Sequence, residues 1–429
     1  MPAISRRSFF VGAGALATAP APLFGQARRV FKFAVVGCGG RGSGAVRDFT
    51  KAAERLGHKA VLVAASDFFH EKAAAVCKMH GCDVKHAFGG ANGYKKIMET
   101  DAEVVLLAAP PIFRARHAEA CVKAGKHIFA EKPIATDPEG VRHFLRVVEA
   151  AKAAKLSILS GTCHRHNNKA LRMIGPVRDG AIGQITGGLV YRCQGAPSSS
   201  RVFRLKPGDD FAEHLARNWY NFREMSADHF TEQAIHEIDL ANWFIGRLPK
   251  QAMGIGARHQ RATGNTFDCF GIDYDYGDGV HVHAVARQIN GCFDRCGTLL
   301  SGTKGHTAVL GSKIQTLDGA SIPFPFDDGA IAGRDENMMT MEHADFLTGL
   351  LSGDLLQEGE LVAMATATAL CGTLAAYTGQ MVRMADLLTN KESPFYSMNY
   401  ALRAEHFEGG DLPGASQVAK PGKAEIPIN

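Results

Sequence analysis

Lys132 has the residue type and the neighbours that a group handling a hydroxyl proton would need. It follows an apolar run, has the acidic neighbour Glu131, and precedes Pro133, which restricts the chain. A lysine near the positive end of a bound dinucleotide can have its pKa lowered toward useful values. A lysine in a turn is nevertheless more often solvated than catalytic, so this residue needs support from others.

Glu232, His236 and Asp239 form a second group of ionisable residues. Their offsets of four and three place them on one face of a helix predicted over residues 231–245. A solvated helix face explains the same spacing equally well. The group lacks the cysteines or second histidine of common metal sites, so no metal is predicted.

A glycine-rich turn near the N-terminus predicts a dinucleotide site. An apolar strand over residues 33–36 runs into G-x-G-x-x-G at 37–42, and a helical pattern follows. The glycines allow a tight turn and close approach of the backbone to a pyrophosphate, which the helix N-terminus favours. A second strand, 59–66, ends in Asp67, where a carboxylate would hold a ribose hydroxyl and repel a 2′-phosphate. We therefore predict NAD as cofactor in preference to NADP.

The elements that carry these residues predict a doubly wound parallel sheet. Apolar strand patterns alternate with helical patterns through residue 160, at 33–36, 59–66, 104–109, 127–130 and 156–160. Ligands on such sheets lie beyond the carboxyl ends of the strands, and Lys132 follows one of those ends.

The pattern changes after residue 161, where short β-rich segments are joined by tight turns. They predict a large open, mainly antiparallel sheet, at 183–193, 252–259, 267–276, 280–289, 297–301 and 307–310. Further helices are predicted at 231–245 and 361–377. The resulting fold class is α/β, with a Rossmann domain at 28–160, an α+β substrate and oligomerisation domain at 161–400, and a C-terminal tail at 401–429.

Residues 1–27 have the pattern of a twin-arginine signal peptide. Arg6 and Arg7 precede an apolar run that is too short for a permanent membrane span, and small residues follow at 25–27. A disordered basic tail is the alternative. The signal predicts a protein that folds first, passes the twin-arginine translocon and reaches the periplasm without a stable membrane span.

The composition of the chain limits the classes of protein to which it can belong. The chain has 429 residues, a net charge of +5 and 46% hydrophobic residues, as in ordinary soluble globular proteins. No basic run carries interleaved aromatic residues, so nucleic acid is not a predicted partner. The ten cysteines have no spacing typical of a disulfide framework.

The combination of motifs resembles the Gfo/Idh/MocA family, the glucose–fructose oxidoreductase and inositol dehydrogenase relatives. The matching pieces are the turn at 37–42, Ala108-Ala109-Pro110-Pro111 with His117 after it, Gly125-Lys126-His127 running into Glu131-Lys132-Pro133, Glu232-x₃-His236-x₂-Asp239, and the segment 375–380. The resemblance covers roughly residues 31–385. Two departures stand out: Glu232 replaces the usual aspartate, and Ala227-Asp228 replaces the usual Gly-Gly.

The resemblance implies bound NAD(P), a sugar-like substrate, and an open sheet that mediates homo-oligomers. Lys132 would orient the sugar as an acid/base, His236 would be the principal proton-transfer group, and the Lys132–Pro133 bond would be cis. With Glu232 as orienting carboxylate, the predicted catalytic residues are Lys132, His236 and Glu232. The predicted cofactor contacts are Gly37, Gly39, Gly40, Arg41, Gly42, Asp67, Ala109, Pro110, Glu131 and Lys132. The predicted substrate contacts are Lys132, Arg165, His166, Glu232 and His236.

Three functions are compatible with these motifs. The favoured one is an exported NAD-dependent sugar oxidoreductase that keeps and recycles its cofactor. The second is an NAD-dependent glycosidase that oxidises transiently, eliminates the glycosidic group, adds water and reduces again. The third is a sugar-binding protein without catalysis, which intact Lys132 and His236 disfavour.

Overall fold

The computed structural model describes residues 28–204, 206, 210–311, 313–322, 331 and 333–414. The predicted signal peptide and the end of the predicted tail lie outside the described residues.

The N-terminal domain is built on six strands and the helices that connect them. The strands are β1 (Val30–Val36), β2 (Lys59–Asp67), β3 (Ala87–Gly89), β4 (Val104–Leu107), β5 (His127–Ala130) and β6 (Ile158–Ser160). The helices are α1 (Gly40–Arg55), α2 (His70–Met79), α3 (Gly93–Met98), α4 (Pro111–Lys123) and α5 (Pro138–Ala153). All strand pairs are parallel, in the order β3-β2-β1-β4-β5-β6, which confirms the predicted doubly wound sheet.

Sequence features explain these elements locally. The strands are apolar runs without polar alternation because helices cover both faces of the sheet; β4, for example, is buried at every position. Helix α5 begins where the Asp137 side chain accepts a hydrogen bond from the Gly140 amide and Pro138 occupies the first turn. The short strand β3 was not predicted, since three residues give too little pattern.

Among the residues that the structure describes, the second domain contains nine strands in one sheet. They are β7 (Ile185–Gln194), β8 (Gln251–Ala257), β9 (Cys269–Asp275), β10 (His281–Gln288), β11 (Arg295–Gly302), β12 (Gly305–Ala308), β13 (Ile314–Thr316), β14 (Ser321–Ile322) and β15 (Val382–Arg383). Their order is β14-β13-β12-β11-β7-β10-β9-β8-β15, and only β7 and β10 pair in parallel. The sheet is therefore mainly antiparallel, as predicted.

Eight further α-helices lie in the described residues after 161, and the two at 235–245 and 359–378 pack along one face of this sheet. The eight helices are α6 (Asn168–Arg178), α7 (Phe211–Arg217), α8 (Arg223–Ser226), α9 (Ile235–Ile245), α10 (Met338–Ser352), α11 (Gly359–Thr378), α12 (Met384–Leu388) and α13 (Pro394–Ser397). Helix α11 is long and apolar enough to cross a membrane, but it is buried along nearly its whole length. It packs between the sheet and α5 and so forms the centre of the core.

Two later segments return to the N-terminal domain, which the predicted domain boundaries did not include. Helix α10 packs on α1, and its Phe346 and Leu347 join the core around Phe33 and Phe49. The segment 402–408, predicted as part of a tail, packs through buried side chains against α4 instead.

All ten cysteines lie in the described part of the chain, and all ten are free.

Candidate functional site

A cavity of about 700 Å³ opens between the two domains at the carboxyl ends of β1, β2, β4 and β5. The N-terminal domain contributes the glycine turn, Asp67, Ala109, Pro110, Glu131 and Lys132 to its walls. The second domain contributes Cys163, Arg192, Arg217, Trp219, Glu232, Gln233, His236 and Glu342. This position at the sheet edge is where doubly wound folds bind ligands.

The glycine turn fits a dinucleotide pyrophosphate. Gly37 has a φ of +95°, and a Cβ added there would lie 2.3 Å from the amide nitrogen of Ala109. At Gly42 a Cβ would lie 1.7 Å from the Gly37 carbonyl oxygen, so helix and strand pack too closely for a side chain. Gly39 and Gly40 instead face open space, with no atom within 4 Å of an added Cβ. The turn thus leaves its outer side free for a phosphate at the start of α1.

Asp67 and the end of β4 form the adjoining wall. The Asp67 carboxylate accepts hydrogen bonds from the amides of Cys38 (2.7 Å) and Phe69 (2.9 Å), while burial raises its pKa. These bonds hold the carboxylate at the cavity, where it can meet a ribose. Arg114 donates to the carbonyls of Ala109 and Pro133, and so ties the end of β4 to the turn after β5.

The Arg41 side chain is already paired with carboxylates and is not left free to bind a phosphate. Its guanidinium forms ion pairs with Glu131 (2.5 Å), Glu342 (3.4 Å) and Asp48 (3.7 Å). Arg41 therefore links the glycine turn to the start of the Glu131-Lys132-Pro133 motif and to α10. Glu342 comes from far along the chain, and no local pattern could have predicted it.

Lys132 lines the cavity just after the carboxyl end of β5. The Lys132–Pro133 bond is cis, which confirms the prediction. The ammonium donates to the Glu232 carboxylate (Nζ to Oε1, 3.0 Å) and to the Glu232 carbonyl, and both side chains are only about one-tenth exposed. A buried lysine paired in this way has a defined position from which it can donate to a substrate hydroxyl.

His236 lies on the cavity wall close to Lys132 and next to a second imidazole. The rings of His236 and His164 are 4.8 Å apart, and Nδ1 of His236 has no hydrogen-bond partner among the described residues. Burial first, then the charges of Lys132 and Arg192, lower the pKa of His236 well below its usual range. His236 is therefore neutral at neutral pH and able to accept a proton.

Glu232 pairs with Lys132, whereas the sequence interpretation made it the orienting partner of His236. It lies in a π-helical turn, Phe230–Ala234, that precedes α9. The Gln233 amide donates to the second oxygen of Glu232 and accepts from Arg192 (2.7 Å), which in turn pairs with Glu237 (2.8 Å). The carboxylate is thus held from both sides.

Arg165 and His166, both predicted to contact substrate, are engaged elsewhere. Arg165 makes a two-pronged ion pair with Asp239 (2.7 and 2.8 Å), and both side chains are buried. His166 contacts Asp345 (2.6 Å) and Glu358 (3.3 Å). Neither residue lines the cavity, so the prediction that Arg165 and His166 contact substrate is corrected. Each instead forms ion pairs that join one element of the fold to another.

Three residues of the site were missed in the sequence: Arg192 and Gln233, which line the cavity, and His164, whose ring packs against that of His236. Two of them had a usable signal, because His164 follows β6 and Arg192 lies near the end of β7. Donor atoms of Cys163, His164 and His236 also lie within 4.8 Å of one another. The charges of Lys132, Arg192 and Arg41 around them oppose a metal cation there.

The Ala227-Asp228 departure has a structural explanation. Both residues have positive φ, +64° and +69°, which is the region that glycine favours. The fully buried Asp228 carboxylate accepts from the Phe267 amide (2.9 Å) and from the Tyr377 hydroxyl. These bonds stabilise the strained turn, and neither residue lines the cavity.

Comparisons with known proteins agree with this arrangement. Residues 31–159 match the model of the oxidoreductase family with an NAD-binding Rossmann fold, GFO_IDH_MocA, and residues 173–308 match the GFO/IDH/MocA C-terminal domain. Together the two domains of this family account for more than half of the chain. The chain belongs to the Gfo/Idh/MocA oxidoreductase family, and its first domain is an NAD-binding Rossmann domain.

Individual relatives are more distant. The inositol 2-dehydrogenase of Rhizobium meliloti (strain 1021) is 29% identical over 190 residues, 44% of this chain and 48% of the relative. That of Klebsiella pneumoniae (strain 342) is 25% identical over 236 residues, 55% of this chain and 59% of the relative. The chain thus spans about half the length of the curated relatives it matches.

Solved structures share the fold over most of the chain. The aldose-aldose oxidoreductase from Caulobacter crescentus, complexed with glycerol, has a TM-score of 0.64 at 18% identity, with 83% of this chain and 100% of that chain covered. An oxidoreductase from Agrobacterium radiobacter in complex with NAD+, L-tartaric acid and magnesium has a TM-score of 0.63 at 16% identity, with 83% and 99% covered.

Proposed function

We propose that this protein is an NAD-dependent oxidoreductase acting on a CH–OH group of a sugar or sugar derivative. The observation that carries the proposal is that Lys132 and a neutral His236 line one cavity with the glycine turn. Family membership supports the cofactor, and the inositol dehydrogenase relatives support a polyhydroxylated substrate.

The residues have separate tasks in this reaction. NAD bound along the glycine turn and Asp67 supplies the hydride acceptor. Lys132, held by Glu232, donates a hydrogen bond to the reacting hydroxyl and so places its proton toward His236. Nε2 or Nδ1 of the neutral His236 ring would take that proton from the hydroxyl oxygen while the hydride leaves the carbon that bears it. In the reverse direction the protonated ring returns the proton to the carbonyl oxygen.

The experiment that tests this function uses the purified full chain with inositols, free aldoses and aryl glycosides. Absorbance of the reduced cofactor and release of the aryl group are followed together. We expect a substrate among the inositols or aldoses to reduce the cofactor, with no aryl release. Aryl release without net cofactor reduction would instead establish the redox-neutral glycosidase. Absence of both reactions with NADH bound would favour the binding protein.

We also infer export by the twin-arginine translocon to the periplasm, with NAD acquired before export. The support is the Arg6-Arg7 pattern and the apolar run that follows it. Because dinucleotides are kept in the cytoplasm, an exported enzyme needs a retained cofactor that is regenerated in place, for example by reduction of a second sugar. Cofactor that survives gel filtration, and turnover without added NAD, are expected. Strict dependence on added NAD with stoichiometric NADH release would contradict this inference.

A homo-oligomer through the open sheet is the proposed assembly. Four apolar side chains are exposed on the face of the sheet that points away from the helices. They are Leu189 on β7, Val285 on β10, and Met253 and Ile255 on β8. Large apolar side chains exposed together on one face of a sheet are typical of an interaction surface. Sedimentation of the wild type against Ile255→Lys tests it, and we expect the variant to dissociate toward the monomer.

A further inference from the structure

The adenosine end of the cofactor groove is bordered by the second domain. Asp67 marks this end, because it lies where the adenosine ribose is held in this fold. The Arg217 guanidinium, at the end of α7, lies 4.1 Å from the centre of the Phe69 ring, two residues after Asp67. Arg217 and the nearby Trp219 line the cavity together with Phe69.

An apolar cluster ties this border to the end of the chain. Leu215 of α7 is fully buried in a cluster with Phe113 and Phe407. The Phe407 ring lies 5.1 Å from that of Phe113 and 6.2 Å from that of Phe68, and the latter two rings line the cavity. The segment 402–408 thus packs directly behind the cavity wall.

Two carboxylates fasten this segment to the N-terminal domain: Glu405 pairs with Arg116 (3.0 Å), and Glu408, which is more buried, makes most of the bonds. Glu408 accepts two hydrogen bonds from Arg116 (2.5 and 2.9 Å), one from Lys95 (2.9 Å) and one from the Tyr94 hydroxyl (3.2 Å). Burial by itself raises the pKa of Glu408. The bonds from Arg116 and Lys95 outweigh this effect and lower the pKa to about 2. The side chain is only 10% exposed. Two-pronged, partly buried pairs of this kind hold their geometry better than ordinary surface ion pairs.

We propose that residues 211–219 and 402–408 form a clasp over the adenosine end of the NAD groove, fastened by Glu408, and that this clasp sets how slowly the cofactor leaves. The inference rests on the proposed NAD-dependent function and concerns retention of the cofactor, not the chemistry at Lys132 and His236. Its physical basis is that Arg217 and Trp219 border this end of the cavity, while 402–408 packs behind the cavity wall in the same apolar cluster as Leu215 and so holds 211–219 in place.

The test measures how fast NADH leaves the full-length protein. NADH fluorescence is followed by stopped flow after excess NAD is added to the complex. The variants are Glu408→Gln, which keeps the side-chain size but removes the charge, and Arg217→Ala, which removes the cover on Phe69. Glu149→Gln is the matched control, because it removes a carboxylate from an exposed ion pair with Lys152 on α5.

We expect Glu408→Gln and Arg217→Ala to release NADH at least about 10-fold faster than the wild type, and the control to stay within about twofold. Wild-type release rates in both clasp variants would overturn the clasp while leaving the NAD-dependent function intact. Should Glu408→Gln fail to fold, the Arg217→Ala rate decides alone. Failure of the wild type to bind NADH would overturn the proposed function, and the clasp with it.

Discussion

His236 is the residue on which the proposed chemistry depends most, because a general base must be unprotonated before it reacts. Burial and the nearby charge of Lys132 keep its imidazole neutral. Lys132 in turn has a defined position because Glu232 binds its ammonium. The pair therefore combines a proton acceptor with a hydrogen-bond donor in one cavity.

Replacing either residue should stop the chemistry and leave cofactor binding in place. We expect His236→Ala and Lys132→Ala each to lose at least about 10²-fold in kcat, the range typical of general acid–base groups. Steady-state rates give kcat, and NADH fluorescence titration gives cofactor affinity. His306→Ala serves as control, since His306 is exposed and contacts Gln315 far from the cavity. Wild-type turnover in either cavity variant would move the chemistry to other residues.

Asp67 carries the predicted preference for NAD. Its carboxylate is held at the groove by two amides and repels a 2′-phosphate placed there. Asp67→Ser should raise the affinity for NADPH relative to NADH by at least about 10-fold, or about 1.4 kcal/mol. Fluorescence titrations of both reduced cofactors measure the ratio, with Asp83→Ser, an exposed carboxylate on the same domain, as control. Tighter binding of NADPH than NADH by the wild type would remove Asp67 from this role.

Among the elements, the π-helical turn before α9 determines how the carboxylates of Glu232 and Asp239 pair with cationic side chains. An uninterrupted α-helix would place Glu232, His236 and Asp239 on one face. The wider turn at Phe230–Ala234 shifts Glu232 toward Lys132, while Asp239 pairs with Arg165. One helix therefore serves both the cavity and the core.

A buried imidazole joins three elements and makes their packing depend on pH. His166, just before α6, contacts Asp345 of α10 and Glu358 just before α11. Burial by itself lowers the pKa of His166. The two carboxylates outweigh this effect and raise the pKa to about 10. The unfolded value is about 6.5. A raised folded-state pKa means that the stabilisation is fully present below about pH 6.5 and is lost as pH rises through about 10.

His166→Gln should therefore destabilise the protein in a pH-dependent way. Removing one partner of a buried pair costs about 3–5 kcal/mol, so we expect a loss of that order near pH 6. The difference from wild type should shrink steadily toward about pH 10. Urea unfolding at several pH values measures it, and the exposed His306→Gln is the control. A difference that stays constant with pH would mean that His166 acts through packing alone.

In the whole molecule, the NAD-binding domain is completed by residues that follow β14 of the second sheet. Helix α10 covers α1, and Phe346 and Leu347 fill the core beside Phe49 and Phe129. Without α10 these aromatic side chains would be exposed to water. The boundary at residue 160 is therefore a boundary in sequence only.

A fragment of residues 28–160 should consequently fail to form a stable domain. We expect strong binding of a hydrophobic dye and no cooperative unfolding, because the uncovered apolar surface is no longer buried. The comparison is the same fragment joined by a flexible linker to residues 338–352, which should recover part of the cooperativity. Cooperative unfolding of the short fragment would show that α10 is dispensable.

Local chemistry explains what could be predicted from the sequence alone. The doubly wound sheet, the open antiparallel sheet, the glycine turn and the placement of Asp67 and Lys132 at strand ends all follow from short segments. Apolar runs, positive-φ glycines and strand ends impose their constraints within a few residues, whatever the rest of the chain does.

Only the tertiary structure decided the partners of the charged residues and the completion of each domain. Arg165 pairs with Asp239, which is 74 residues away, and Arg41 with Glu342, which is 301 residues away. Whether an arginine binds a ligand or pairs with a buried carboxylate depends on which elements pack together. The spacing of residues along the sequence does not contain that information. The same reason explains why α10 and the segment 402–408 could not be assigned to the N-terminal domain before the fold was known.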